Sequence, residues 1–301
     1  MNLVPCGATQ TAGGEEVASM TEAVRGAARA WRPRVWPLLA VCALIFAPLR
    51  AEADCLLVAD AADGRVLLET GTCDERVTPA STFKLALAAI AFDAGVLKGA
   101  HDPMMTYREG EIAWGGDKWR GDIDPEAWLE RSVVWYSQRL VRALTPERVS
   151  RTLRALGYGN ADLSGDPDAG RGPEWSWIAS SLKISASEQM AFLRELDAGT
   201  LDLDPAAMSQ ALALLPAYDG GEGWRVKAKT GGAFRLRPDG GVDRSRGWGW
   251  FVGRAEKGAE RLLFVRQVIE TNGARGSPGR RVRDDVLARW PVIAREALAA
   301  R

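Results

Sequence analysis

The chain has a single histidine, His101, among its 301 residues. That excludes a His-based metal site and an ordinary Ser-His-Asp triad, so a serine nucleophile here needs a base of another kind. Cysteine is sparse as well, with four in all. Charge of either sign is not in excess: Lys+Arg and Asp+Glu are both 39 and the formal net charge is zero. There is thus no electrostatic case for nucleic acid or an acidic membrane surface as partner. No apolar run has the length of a comfortable membrane span, and no repeat or low-complexity tract is present.

What is there suits a globular protein. Apolar residues make up 47% and charged residues 26%, enough to bury a substantial core and stay in solution. The length allows one large domain or two small ones. The N-terminus reads as an address: Arg25, Arg29, Arg32 and Arg34 precede an apolar stretch from Val35 to Leu49, followed by the small-x-small site Ala51-Glu52-Ala53. This is the pattern of a secretory signal, with an uncleaved anchor as the alternative and Met20 as an alternative start. Residues 1–53 are therefore expected to be an extension plus cleavable signal, and 54–301 a periplasmic or secreted domain without stable membrane association after cleavage.

Cys6 and Cys42 fall in the leader, which leaves Cys55 and Cys73. Between them, Leu56-Leu57-Val58 and Val66-Leu67-Leu68 flank Asp63-Gly64, a hairpin signal. The cysteines are expected to face each other across the strands as a disulfide, which export permits; two buried free thiols are the alternative. Thr78 and Pro79 predict a helix N-terminus, Thr78 as cap, with the helix running from Ala80 to about Ala94. Further helices are expected near 132–144 and 146–156, from the Ser185/Glu188 capping box to Ala198, and over 205–215. Strands are expected at Trp224–Lys229, Trp248–Gly253 and Leu262–Ile269, then a terminal helix over 280–299 interrupted by Pro291. Strands at both ends of a helical middle predict an α+β fold, an antiparallel sheet flanked by helices, with a helical subdomain inserted at roughly 100–205.

Ser81 and Lys84 stand three apart in the first turns of a helix, so they share a face. Free backbone N–H groups at that end can stabilise an oxyanion. Lysine acts as a base only when burial depresses its pKa, and Phe83, Leu85, Ala86 and Leu87 supply an apolar setting. A Ser-x-x-Lys arises by chance about once in a chain this long, and most are plain helix surface. Lys229-Thr230-Gly231 ends a strand, where it is either substrate-binding chemistry or an ordinary turn. Tyr158-Gly159-Asn160 follows a helix stop, and Ser132-Val133-Val134 opens a helix with Ser132 as a possible N-cap. Each is dismissible alone; their joint order is not.

With Ser81-Thr82-Phe83-Lys84, Ser132-Val133-Val134, Tyr158-Gly159-Asn160, Trp177, Leu182-Lys183-Ile184-Ser185, Lys229-Thr230-Gly231 and Gly247-Trp248-Gly249-Trp250-Phe251-Val252-Gly253 in this order, the chain resembles the class D serine β-lactamases. The resemblance spans nearly the whole mature chain. It implies hydrolysis of penicillins and related small-molecule β-lactams through a Ser81 acyl-enzyme. Lys84 would carry carbon dioxide as a carbamate (N6-carboxylysine) and serve as general base, with no other cofactor. Val134 and Trp177 would support the carbamate, and Ser132 and Lys229 would relay a proton. The N–H groups of Ser81 and Gly232 would form the oxyanion hole. Tyr158, Thr230, Gly231 and a late arginine would bind substrate. Arg280 fits that last role best, with Arg275, Arg281 and Arg283 as competitors. Gly232 stands where the family often has a bulky residue, which implies a more open or flexible edge. Trp114, Trp119, Trp128 and Trp135 are expected in the core or lining a groove. Two other functions share the Ser-x-x-Lys chemistry: a β-lactam sensor that is acylated without efficient turnover, and a cell-wall transpeptidase or carboxypeptidase. Oligomeric state has no signature in the sequence.

Overall fold

The structure, a computed structural model, describes residues 54–237, 239, 241–270, 273 and 275–301. The expected leader, with Cys6, Cys42 and the Ala51–Ala53 site, lies outside them. In chain order, β1 (Asp54–Asp60) and β2 (Val66–Gly71) precede a 3-10 turn (Ala80–Thr82) that runs into α1 (Phe83–Asp93). Then come β3 (Met105–Thr106), β4 (Asp122–Ile123), α2 (Pro125–Arg131), α3 (Val134–Leu144) and α4 (Pro146–Ala155). The chain closes with α5 (Ala186–Ala198), α6 (Pro205–Ala213), β5 (Ala217–Asp219), β6 (Arg225–Leu236), β7 (Val242–Lys257), β8 (Glu260–Glu270) and α7 (Pro278–Ala299).

The main sheet has the order β2-β1-β8-β7-β6-β5 and every adjacent pair is antiparallel. Both faces are covered, and the strands alternate accordingly. Leu57, Ala59, Trp250, Val252, Leu263 and Val265 point into the core shared with α1 and the other helices of the middle segment. Their neighbours Leu56, Val58, Phe251, Leu262 and Phe264 point into the core beneath α7. The fold is α+β, as expected, and the early hairpin pairs with the last strand.

α1 is buried at every position from Phe83 to Phe92. Its Ala- and Leu-rich sequence is apolar all round, as a helix in the middle of a protein must be. The Ser185–Glu188 capping box forms as expected, and α5 ends at Gly199 in the left-handed conformation. Cys55 and Cys73 are bonded across a separation of 18 residues, a loop size for which the chain-entropy effect is about 3 kcal/mol. They do not sit directly opposite: Cys55 faces Gly71, and a bulge between Val58 and Ala59 shifts the register.

Several local expectations change. Thr78 does not cap a helix. Pro79 holds that position without a side-chain hydrogen bond, and Thr78 Oγ1 accepts from the N–H of Ala179 instead. Ser132 does not open a helix; it closes α2 in the left-handed region (φ 61°), and α3 begins after Val133. Helix α2 was absent from the sequence reading because its seven residues are too few for a clear period. Pro291 does not interrupt the terminal helix, which continues from Pro278 to Ala299. Burial of Val286, Trp290, Ile293 and Ala294 against the sheet outweighs the one lost backbone bond.

The start of α7 lies directly on the sheet backbone. A Cβ on Gly279 would stand 2.2 Å from the carbonyl oxygen of Gly231, and one on Gly249 would stand 2.7 Å from that of Pro278. Gly279→Ala should therefore lower stability by about 1–3 kcal/mol, the usual cost of overpacking against a part that cannot yield. Urea unfolding measures this, and parent-like stability would show that α7 is free to move away.

Candidate active site

Ser81 sits in the 3-10 turn ahead of α1, after Ala80, whose φ is 48°. A non-glycine residue in that region is strained, and several contacts hold it there. The carbonyl of Thr78 accepts the indole N–H groups of both Trp248 (2.8 Å) and Trp250 (3.0 Å). Thr82 Oγ1 donates to the carbonyl of Pro79 and accepts from Gln189 Nε2. Gly231 approaches so closely that a Cβ there would stand 2.6 Å from the Pro79 carbonyl oxygen. Its lack of a side chain brings β6 against the serine turn. Trp248, Trp250 and Gln189 carry functions that the sequence reading did not assign. The one available signal was the i, i+2 spacing of the tryptophans, which puts both on one strand face.

One helical turn into the core, Lys84 is fully buried, with Nζ 3.3 Å from Ser81 Oγ. Burial holds its pKa well below the usual lysine range, and the charge of Lys229 adds to the effect. Phe83 stacks on Trp177 at 5.1 Å between ring centroids, and Val134 belongs to the same buried cluster. The indole N–H of Trp177 is buried and has no hydrogen-bond partner among the described residues. Such an orphaned donor costs stability, so a group that accepts from it would fit here. A carboxylate carried by Lys84 has that chemistry.

Lys229, 2% exposed, reaches across from β6. Its Nζ donates to Ser132 Oγ and to the carbonyl of Thr230, both at 3.1 Å. Burial first, and the positive charge of Arg283 second, bring its pKa down to about 7. Ser132, like Ala80, is held at positive φ. Beyond Lys227 the ladder between β5 and β6 ends, so the far half of β6, with Thr230 and Gly232, has its outer edge free of a strand neighbour.

The comparisons with known proteins agree with this geometry. Residues 55–288 match the family described as "Penicillin binding protein transpeptidase domain". The β-lactamase OXA-9 of Klebsiella pneumoniae is 37% identical over 239 residues, covering 79% of this chain and 87% of that one. The solved structure of the class D β-lactamase OXA-427 is 34% identical with a TM-score of 0.72, covering 81% of this chain and 99% of that one. The chain belongs to the class D serine β-lactamases. A more distant relative is the methicillin resistance mecR1 protein of Staphylococcus aureus, 26% identical over 219 residues, covering 73% of this chain and 34% of that protein.

In this class D β-lactamase the structure brings together Ser81, Lys84, Ser132 and Lys229, with Val134 and Trp177 behind them. One expectation is corrected. Tyr158 is not a substrate contact: it is 1% exposed, packed on Phe83 and Phe192, with its hydroxyl pKa raised by burial. Gly232 is exposed, and a Cβ there would stand 2.8 Å from the Gly279 nitrogen, so a side chain at this position would press on the start of α7. Among the late arginines, Arg281 is paired with Glu270 and Arg283 with Asp284. Arg280 is exposed in the first turn of α7, one residue after the glycine that touches β6. Trp119, Trp128 and Trp135 are buried, whereas Trp114 is 63% exposed.

The two lysines give a pH dependence with a definite sign. The folded-state pKa of Lys229, about 7, lies below the unfolded value near 10.5. Between those values the unfolded chain binds a proton that the folded chain lacks, so stability rises with pH across that window, by about 1.4 kcal/mol per unit for each such proton. Lys84 acts in the same sense. Denaturant titrations at several pH values should show the rise, and Lys229→Met should flatten part of it; an unchanged slope would place the proton uptake elsewhere.

Proposed function

We propose that this protein hydrolyses penicillins and related β-lactams through an acyl-enzyme on Ser81, in the periplasm or outside the cell, with Lys84 carrying a carbamate. The observation that carries the reading is the buried amine of Lys84, its pKa held well below the usual lysine range, within reach of Ser81 Oγ, together with the unpartnered indole N–H of Trp177. Added to Nζ, carbon dioxide supplies a carboxylate-like base at this position, held by Trp177 and shielded by Phe83 and Val134. A dry site keeps the amine neutral, and only the neutral amine has the electron pair for that addition.

The chain's own residues provide the rest. Ser81 Oγ gives up its proton on the Lys84 side and bonds to the lactam carbonyl carbon. The oxygen that gains charge lies against the N–H groups of Ser81 and Gly232. As the ring C–N bond breaks, Ser132 protonates the departing nitrogen and is resupplied from Lys229, whose pKa near 7 suits a proton carrier at neutral pH. Thr230 and Arg280 hold the substrate carboxylate on the far side of β6. The proton taken from Ser81 passes by way of solvent to Lys229, which restores both groups; water then gives a proton on the Lys84 side and attacks the ester, and that proton goes to Ser81 Oγ as the opened acid leaves.

The competing reading is the sensor, acylated without release. The identity to OXA-9 and its coverage exceed those to the mecR1 protein, which favours the enzyme. With a chromogenic cephalosporin, steady turnover is expected after mixing; a single burst equal to the protein concentration would assign the sensor role instead. Labelled bicarbonate should give a carbamate carbon signal that Lys84→Ala abolishes, and activity indifferent to bicarbonate with no such signal would remove the proposed base. Trp177→Ala should slow deacylation by about tenfold or more, and acylation less, as expected when one buried donor to a catalytic group is lost. Equal loss in both steps would deny Trp177 its special part in holding the base.

A further inference from the structure

Thr78 is 2% exposed, and its two oxygens hold two different parts of the site. Its carbonyl accepts the indole N–H groups of Trp248 and Trp250, which fixes the chain just ahead of Ser81. Its hydroxyl oxygen accepts the backbone N–H of Ala179 at 3.2 Å, shortly past Trp177. The loop that carries Trp177 is pinned at its ends by other contacts. Leu182 N–H donates to the carbonyl of Ser176 at 3.0 Å. Asn160 donates to the carbonyl of Ser181 at 2.8 Å and accepts from Lys183 N–H at 2.9 Å. Between those anchors Ala179 is held at φ 53°, a region that a residue with a Cβ avoids unless contacts keep it there. The Thr78 hydroxyl is such a contact.

We propose that Thr78 is a positioning residue for the reaction: it ties the Trp177 loop to the Ser81 turn and so fixes the direction of the Trp177 indole N–H. This rests on the reading of that N–H as the donor to a base at Lys84, and adds what aims it. The indole N–H is buried without a partner among the described residues, so turning toward another acceptor would be favourable. Stacking on Phe83 restrains the plane of the ring but not where the N–H points within that plane. That direction follows from the backbone at Trp177, and the bond from Ala179 to Thr78 keeps this backbone in its strained course. With the hydroxyl gone, Ala179 can return to an ordinary φ, and the peptide units before it turn as well. The serine turn is affected less, because its tryptophan bonds end on the backbone carbonyl of residue 78, which no substitution there removes. The loss therefore falls on release of the acyl-enzyme more than on its formation.

The test compares Thr78→Val, which keeps the shape and removes the acceptor, with Thr78→Ser, which keeps the acceptor. Hydrogen exchange is followed at isotope-labelled indole N–H groups, the Trp177 signal being the one lost in Trp177→Phe. Trp290 is the internal control: it is buried in the core beneath α7 and its N–H is likewise unpartnered among the described residues. In Thr78→Val the Trp177 N–H should exchange about three- to tenfold faster, the worth of one neutral hydrogen bond, with Trp290 within about twofold of the parent. With benzylpenicillin, acyl-enzyme release should slow by a similar factor, while acylation followed by intact mass changes by no more than about twofold. Thr78→Ser should restore both values. Where Thr78→Val does not fold, Thr78→Ala gives the same comparison. Unchanged exchange at Trp177, or a rise shared equally with Trp290, would overturn the proposal, as would a Thr78→Ser protein that behaves like Thr78→Val. If the Trp177 signal of the parent ignores added bicarbonate, the base at Lys84 is removed, while the exchange comparison still decides whether Thr78 holds the loop.

Discussion

A lysine amine enclosed without a carboxylate partner holds its charge poorly, and Lys84 stands in such a place within reach of Ser81. Desolvation lowers its pKa well below the usual lysine range, and the second buried lysine, Lys229, pushes the same way. α1 is consequently apolar on every side, since water or a counter-ion along it would restore the charge. Phe83, next to Lys84 in the chain, stacks on Trp177 within the same buried cluster. The stability lost by enclosing Lys84 and Lys229 is the counterpart of their reactivity, and the two hydrophobic cores on either side of the sheet offset it.

A second constraint is distance. Ser81 with Lys84, Ser132 and Lys229 come from three parts of the chain: the 3-10 turn with α1, the α2–α3 junction and β6. They meet because small residues let backbones approach and because aromatic side chains hold one carbonyl. Gly231 admits the serine turn to β6, and Gly279 admits α7 to the opposite face of that strand. Trp248 and Trp250 grip the carbonyl of Thr78. The Gly-Trp-Gly-Trp run of β7 thus helps to hold the turn that carries Ser81. The strained φ values of Ala80 and Ser132 fall at the two serines, where surrounding contacts are dense enough to keep them.

Much of this was legible because local signals were strong. The Asp63-Gly64 hairpin, the Ser185 capping box with its Gly199 stop, and the alternating late strands each rest on interactions within a few residues. The misreadings have the opposite cause. Thr78 has the chemistry of a helix cap, yet its hydroxyl and carbonyl are taken by Ala179, Trp248 and Trp250, all more than 100 residues away in sequence. Pro291 has the chemistry of a helix breaker, but packing against the sheet carries the helix through it. Tyr158 follows a helix stop and stands in a motif that implies a substrate contact, yet its ring packs on Phe83 and Phe192 from two other helices.

The sequence by itself determined the candidate set: one histidine removes the common base, and Ser81-x-x-Lys84 with Lys229 offers another at spacings that a helix and a strand impose. It also determined the alternation that covers both faces of the sheet, since side-chain direction along a strand is a local property. Tertiary structure decided the rest. Whether Lys84 is charged depends on what surrounds it, and those neighbours come from α3, β6 and the loop that carries Trp177. Whether position 232 tolerates a side chain depends on Gly279, which approaches it from another element. Burial and close approach are sums over residues distant in the chain, so no local pattern contains them.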